Sequence, residues 1–180
     1  MRKSLILYYS KYGTTKRYAE WIGSALNGDI FSIKSFNENV ITNYDTIILG
    51  SGLYAGGIKG INIIINNYEK IKDRKLVLFT CGLGDPSAVE TRGSIDKNLE
   101  KLIPGNIRTN MKVFYLHGGV DYKKLGLIHK IMMSLLKGMI MKKGHDKMND
   151  EDRAFLATYG KKVDFTDKSN ITDLLEYCGK

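Results

Sequence analysis

The sequence has only two cysteines, and it has no apolar run long enough to cross a membrane. Cys81 and Cys178 lie far apart and form neither a C-x-x-C pair nor a metal-ligand spacing, which favours a reducing compartment and leaves a disulfide unsupported. No segment reaches about 18 uninterrupted apolar residues, and the apolar stretch near the N-terminus is too short for a signal peptide. We therefore expect a cytoplasmic protein, with attachment to the inner face of the membrane as an alternative.

Nucleotide-binding fingerprints and catalytic spacings are also missing. The segment 10–15 (SKYGTT) contains neither G-x-G-x-x-G nor G-x-x-x-x-G-K-[ST], which excludes the dinucleotide fingerprint and the P-loop. No spacing indicates a Ser/His/Asp set or a pair of metal-binding histidines, so no metal is expected and no catalytic residue is assigned. Without repeats, low-complexity tracts or linkers, the chain is predicted to be one domain over 1–180, with a basic amphipathic insertion over 121–148.

The net charge of +9 is unevenly distributed along the chain. The segment 121–147 holds seven lysines and two aspartates, so a formal charge of +5 lies there. Such an excess suggests an anionic partner, which could be a nucleic acid, a membrane surface or an acidic substrate. The sequence shows no nucleic-acid-binding module and no basic run interleaved with stacking aromatics, so nucleic acid is the least favoured of these.

Short apolar runs alternate along the chain with segments of helical spacing. The pattern predicts strands over 5–9, 29–34, 46–49, 75–79 and 111–116, and helices over 15–26, 58–71, 87–102, 149–163 and 171–177. Because the strands are almost continuously apolar, helices should cover both faces of the sheet. The predicted fold class is α/β, a doubly wound five-stranded parallel sheet with a helical insertion after the fifth strand.

Four loops should meet at one edge of this sheet, where parallel strands have their carboxyl ends. They are 10–15 (SKYGTT), 50–57 (GSGLYAGG), 80–85 (TCGLGD) and 117–122 (HGGVDY). Three of them are glycine-rich, which allows a close approach of the backbone to a flat ligand, although glycine serves equally as a turn residue. Beside a hydroxyl-rich first loop, they favour a planar cofactor with a phosphate tail.

The first loop contains the groups that a phosphate monoester needs. Three hydroxyls can donate to phosphate oxygens, Gly13 lets the backbone approach closely, and amides at the start of a helix point at the ligand. The same six residues also suit an ordinary strand-to-helix turn with a capping Ser or Thr. Both interpretations stay open from the residues alone.

These loops resemble those of the flavodoxin-like FMN-binding family, in which a segment of the form [ST]-x-[ST]-G-x-[ST] holds the FMN phosphate. The resemblance implies phosphate contacts from Ser10, Gly13, Thr14 and Thr15, and from the backbone N–H of Tyr12, which stands where the family has Ser or Thr. It also implies that the second and third loops flank the isoalloxazine ring. The implied residues are Ser51, Gly52, Leu53, Tyr54 and Ala55 from the second loop, and Cys81, Gly82, Leu83 and Gly84 from the third.

The insertion has the pattern of a cationic amphipathic helix. Apolar residues follow helical spacing from Leu125 to 140, and five of the seven methionines lie within 132–148. This apolar face is expected to pack on the sheet or cover an edge of the core; the alternative is a contact with a membrane, an apolar substrate or a partner subunit through 123–143. The segments 118–122 and 139–143 resemble the flavodoxin-fold branch that contains menaquinone-dependent protoporphyrinogen dehydrogenase.

The resemblance implies an FMN-dependent oxidoreductase or electron-transfer flavoprotein, which in that branch oxidises a porphyrinogen with a quinone acceptor. The alternatives are a soluble flavodoxin-type electron carrier, an NAD(P)H:quinone reductase and a non-redox anion-binding protein. Electron-carrying flavodoxins are acidic and stack an aromatic from the third loop on the flavin, whereas this chain is basic and has no Tyr or Trp there. Tyr54, His117 or Tyr122 could supply the aromatic contact, while His129 is expected on the surface.

Overall fold

A computed structural model describes residues 3–54 and 57–179. The strands are β1 (Ser4–Tyr9), β2 (Asp29–Ser32), β3 (Thr46–Tyr54), β4 (Gly57–Ile58), β5 (Lys75–Gly82), β6 (Met111–His117), β7 (Gly119–Asp121) and β8 (Lys162–Asp164). The helices are α1 (Thr14–Leu26), α2 (Ile61–Ile71), α3 (Val89–Leu102), α4 (Gly105–Asn110), α5 (Leu127–Lys142), α6 (Asp150–Thr158) and α7 (Thr172–Cys178). None of the helices in the described ranges is both long and apolar enough to span a bilayer.

The main sheet has the order β2-β1-β3-β5-β6, and all four pairings between these strands are parallel. The predicted doubly wound five-stranded parallel sheet is therefore confirmed. The short strand β4 adds an antiparallel pair at the end of β3. A separate two-stranded antiparallel sheet, β7 with β8, was not predicted, and it lies directly after the carboxyl end of β6.

Alternate side chains of each central strand enter two different hydrophobic layers. Leu5 and Leu7 belong to the layer that packs under α2, α3 and α4, whereas Ile6 belongs to the layer that packs under α1 and α7. Since both faces of the strands are buried, the apolar runs are continuous rather than alternating. A third, smaller cluster of Val120, Tyr122 and Leu125 lies beside β7 at the start of the insertion.

Two strands extend further than predicted, into segments expected to be loops. β3 runs to Tyr54 and β5 to Gly82, because their parallel pairing continues through Ser51 with Thr80 and Gly52 with Cys81. Glycine at position 50 is explained by packing, since a Cβ there would lie within 2.7 Å of three ring carbons of Phe79. The glycine signal was thus misread as a turn at this point.

The predicted helix over 149–163 was too long. Its start is as expected: the Asn149 side chain accepts the Asp152 N–H at 2.8 Å, which forms a capping box. The helix ends at Thr158, and Gly160 then adopts a left-handed conformation with φ of 79° that turns the chain into β8. Val163 pairs with Val120 of β7.

Smaller boundary differences follow from local pairing and turns. The second strand ends at Ser32 rather than 34, and α2 begins at Ile61 rather than 58 because Ile58 pairs with Leu53 in β4. The helix α4 after Pro104 was not predicted. The remaining boundaries agree with the predicted ones to within two residues.

Candidate functional site

A cavity of about 380 Å³ lies at the carboxyl edge of the sheet, between the domain and the insertion. Its walls come from the start of α1, the ends of β3, β5 and β6, the first half of α3, and one face of α5. The strand order explains this position: β2 lies on one side of β1 and β3 on the other, so the chain reverses its direction of winding at β1 and leaves a crevice there.

The turn before α1 leaves polar groups without partners at the base of this cavity. The Gly13 N–H donates to Ser10 Oγ at 3.0 Å, and the Arg17 N–H donates to the Gly13 carbonyl at 3.0 Å. A helix that begins in this way leaves the amides of its first residues, from Thr14 onward, without intrahelical acceptors. Within the described residues, the buried Thr15 Oγ1 also has no hydrogen-bond partner, although buried hydroxyls are nearly always bonded.

The end of β5 forms a second wall of the cavity. Cys81 is buried, and burial raises the pKa of its thiol to about 11, with the neighbouring hydroxyls of Thr14 and Thr15 acting in the opposite direction. The Thr14 hydroxyl lies 3.7 Å from the sulfur. The thiol is thus protonated at neutral pH and acts as a small packing group. The Gly118 N–H donates to the Gly82 carbonyl at 2.6 Å, which holds the end of β6 against that of β5.

Fewer residues at the end of β3 are found at the cavity than the resemblance implies. Ser51 is buried, and its hydroxyl donates to the Gly52 carbonyl at 3.0 Å and accepts the Lys59 N–H at 3.1 Å, so both functions of the oxygen are used internally. Gly52 lines the cavity. The side chains of Leu53 and Tyr54, and the whole of Ala55, lie outside the described part of the chain.

Most of the other predicted site residues meet at the cavity. The lining includes Tyr12, Thr14, Thr15, Gly52, Cys81, Gly82, Leu83 and Gly84. Ser10 and Gly13 lie in the turn that presents Thr14 and Thr15, where Gly13 has a φ of 99° that favours glycine. They shape the site through the backbone.

One cavity residue, His129 of α5, was missed by the sequence analysis. Its Nδ1 forms a hydrogen bond with the Tyr12 hydroxyl, and the two rings meet edge to face with centroids 5.6 Å apart. Burial, and then the positive charge of Lys11, lower the pKa of His129. The missed signal was spacing: Met132, Met133 and Leu136 follow His129 at three, four and seven residues, and all of them line the cavity.

We expect the pKa of His129 to rise towards its ordinary value of about 6.5 when Lys11 is replaced by methionine, because a repelling charge is removed. The lowered pKa in the wild-type fold means that the unfolded chain binds more protons, so this group makes the fold less stable as the pH falls through 6.5. A titration of the imidazole signals by NMR, with Lys16→Met as a control, measures the shift. An unchanged His129 pKa in Lys11→Met would contradict the assigned cause.

The insertion does not pack on the sheet itself but covers the cavity at the edge of the sheet, so one of the two placements expected for its apolar face is found in part. One face of α5 covers the cavity, but Ile140 is the only residue of this helix that is fully buried. Most of the predicted apolar face is exposed, including Ile128, Ile131 and Leu135, with exposed fractions of 73%, 51% and 64%. The apolar surface of α5 is therefore larger than the part of it that packs against the rest of the protein.

His117 does not reach the first cavity as an aromatic contact. Its carbonyl accepts the Tyr18 hydroxyl at 2.8 Å, its Nε2 lies 3.1 Å from the Leu83 carbonyl, and its ring stacks on Phe165 with centroids 4.3 Å apart. His117 is therefore a hydrogen-bonded residue at the end of a strand. The ring lines a neighbouring cavity of about 670 Å³, which shares Leu83 and Phe155 with the first.

A parallel sheet of this order, with a cavity between the first strand-to-helix turn and the ends of the central strands, defines the flavodoxin-like class of α/β proteins. The sequence matches the flavodoxin domain family over residues 5–149, and the chain belongs to that family. An uncharacterized protein of Methanocaldococcus jannaschii is 35% identical over 82 residues, which is 44% of this chain and 55% of that protein. The chain thus spans about half the length of this relative.

Solved structures with similar folds are also found among flavoproteins. A Bacteroides eggerthii protein assigned as a flavoprotein is 21% identical and matches 75% of this chain and 96% of its own, with a TM-score of 0.46. A flavodoxin from the domain Archaea is 17% identical, covers 68% and 87% of the two chains, and has a TM-score of 0.41. A flavoprotein from Lactobacillus acidophilus in complex with FMN is 18% identical, covers 65% and 93%, and has a TM-score of 0.40.

Proposed function

We propose that this protein binds FMN in the cavity and acts as an FMN-dependent oxidoreductase. The observation that carries the proposal is the buried Thr15 hydroxyl, which lies beside the Cys81 thiol and makes no hydrogen bond within the described residues. It belongs to the first turn of α1, which has no side-chain cap and whose amides have no intrahelical acceptor. Unpaired donors at a helix start are the groups that a phosphate monoester satisfies. The phosphate of FMN would therefore be held by Thr14, Thr15 and the backbone of this turn.

The rest of the cavity suits a flat, largely apolar ring. Its volume lies within the range typical of small-molecule sites, and Leu83, Met132, Met133 and Leu136 contribute apolar side chains. No Lys, Arg, Asp or Glu is among the described residues that line it. Bound FMN would supply the electron-transfer chemistry through its isoalloxazine ring.

The protein's own residues would shield and orient the ring. α5 covers the cavity and limits the access of water to it. The hydrogen-bonded pair of Tyr12 and His129 holds a proton at the cavity wall, and the lowered pKa of His129 favours its neutral form at pH 7. Cys81, with its thiol protonated, contributes packing rather than a nucleophile.

The more specific proposal is that a porphyrinogen is oxidised and a quinone is the acceptor. The neighbouring 670 Å³ cavity could admit a second large reactant next to the ring, since it shares a wall with the first. Its lining includes the exposed carboxylates Asp85 and Glu90, which would repel propionate groups. No lysine of α5 is among the described residues that line either cavity, so an anionic reactant would find no cationic partner there.

Purification with a bound or added cofactor tests the proposal. We expect a yellow protein, or a colourless one that takes up FMN at micromolar concentration, and released flavin that chromatographs as FMN. Anaerobic reduction with NADH, NADPH, a menaquinol analogue or protoporphyrinogen then separates the reductase from the porphyrinogen dehydrogenase. A protein that neither contains nor takes up FMN would leave the alternative of a non-redox anion-binding protein.

A further inference from the structure

The outer face of α5 concentrates the exposed apolar surface of this protein. Twelve large apolar side chains are exposed among the described residues, and eight of them lie on this one helix. Met132 and Leu136 also line the cavity, and the other six do not. Leu127, Ile131 and Leu135 follow one another at intervals of four residues, so they form a continuous stripe along about 12 Å of helix. An exposed apolar patch of this size is typical of an interaction surface rather than of a free surface.

The helix and its flanks carry only positive charge. No Asp or Glu occurs between Asp121 and Asp146, whereas six lysines do. Lys130 and Lys137 border the apolar stripe on one side, and the other four lie before the helix or at its C-terminal end. Among the described side chains, Lys143 is the only one of the six in an ion pair, with Asp152 at 2.8 Å.

The apolar stripe and the neighbouring lysines together indicate which partner binds this surface. We propose that the outer face of α5 docks on an anionic lipid bilayer, with the helix axis parallel to the membrane plane. An apolar stripe bordered by lysines buries its side chains at the acyl boundary while the ammonium groups meet anionic headgroups. A second copy of this chain paired face to face would set lysines against lysines, with no carboxylate on the helix to neutralise them.

The position of α5 in the fold is compatible with docking. The residues that hold the helix to the domain, His129, Met132 and Met133, lie on its inner face, opposite the stripe. Insertion of Leu127, Ile131 and Leu135 into lipid therefore requires no unfolding of the cavity wall. The proposal is independent of FMN binding, because vesicle binding can be measured on protein with or without flavin.

Co-sedimentation of the full chain with vesicles tests the proposal. We expect binding to vesicles of phosphatidylglycerol and phosphatidylcholine that is strong at low salt, weakened at high salt and absent on pure phosphatidylcholine. Replacing both Lys130 and Lys142 by glutamine should weaken binding about 25-fold, since each lysine near an anionic surface contributes about a fivefold factor. The matched control is Lys97→Gln with Lys101→Gln on α3, which should bind like the wild type.

The contribution of the apolar stripe to vesicle binding is tested in the same assay. Leu127→Ser should weaken binding by about fivefold to tenfold, because a leucine side chain no longer enters the lipid. Val89→Ser removes an equally exposed side chain, 77% against 74%, from α3 and should leave binding unchanged. Circular dichroism confirms that each variant is folded.

Two results would overturn the proposal. One is equal binding of the wild type to neutral and anionic vesicles, or no binding to either. The other is a dimer in sedimentation equilibrium that Leu127→Ser dissociates while anionic vesicles bind no protein, which would make a second copy the occupant.

Discussion

Replacing Thr15 with valine is expected to weaken FMN binding by about 10- to 100-fold, because one hydrogen bond to a charged phosphate is lost. The same change should stabilise the protein without FMN by about 1 kcal/mol, since it removes a buried hydroxyl that has no partner among the described residues. The opposite signs of these two effects distinguish a ligand-binding hydroxyl from a merely structural one. Fluorescence titration of FMN and denaturant unfolding without FMN measure them.

The control for this substitution is Thr109→Val in α4. The Thr109 hydroxyl donates to the carbonyls of Gly105 and Asn106, at the far end of the sheet from the cavity. The Thr109→Val substitution should leave the affinity for FMN unchanged and should slightly reduce the stability of the protein. A Thr15→Val protein that binds FMN as tightly as the wild type would remove the phosphate site from the start of α1.

Replacing Gly50 with alanine is expected to destabilise the fold by about 2–3 kcal/mol, which lowers the melting temperature by about 5–10 °C. The new Cβ would overlap three ring carbons of Phe79, which is fully buried between the sheet and α1. A core at close-packed density has no room to move that ring aside. Thermal unfolding followed by circular dichroism gives the loss.

Two further variants show whether the Phe79 ring is the cause. Combining Gly50→Ala with Phe79→Leu should cost less than the sum of the single changes, by about 1 kcal/mol or more, because the overlap is relieved. Gly93→Ala in α3 is the matched glycine control: its Cβ would meet no atom within 4 Å, and alanine should stabilise the helix by about 0.5–1 kcal/mol. Additive losses in the double variant would refute the steric explanation.

The sheet could be predicted from the sequence because its signals are local. Continuous apolar runs such as 75–79 and their alternation with helical spacing determine strand number and parallel pairing. The ends of β3 and β5 could not be predicted, since the glycines at 50 and 52 have the composition of a turn. Only the neighbouring strand, which places Phe79 against position 50, makes glycine necessary in an extended segment.

The candidate site was predictable where it depends on one loop and not where two distant segments meet. The hydroxyls of the turn before α1 were identified from the residues themselves, and Thr14 and Thr15 lie at the cavity. The contact of Tyr12 with His129 joins residues 117 positions apart, and no local pattern marks such a pair. The β7 and β8 ribbon was missed because a three-residue strand is too short for a periodicity.

The bond between Tyr12 and His129 makes the insertion and the first turn a single thermodynamic unit. Tyr12 is adjacent to Gly13 in the turn, and His129 belongs to the helix that covers the cavity. A ligand of the turn that strengthens this bond also stabilises the position of the helix, and a contact of the helix that strengthens the bond raises the affinity for that ligand by the same factor. This single bond is therefore the route by which occupancy of the cavity and the position of the covering helix would influence each other.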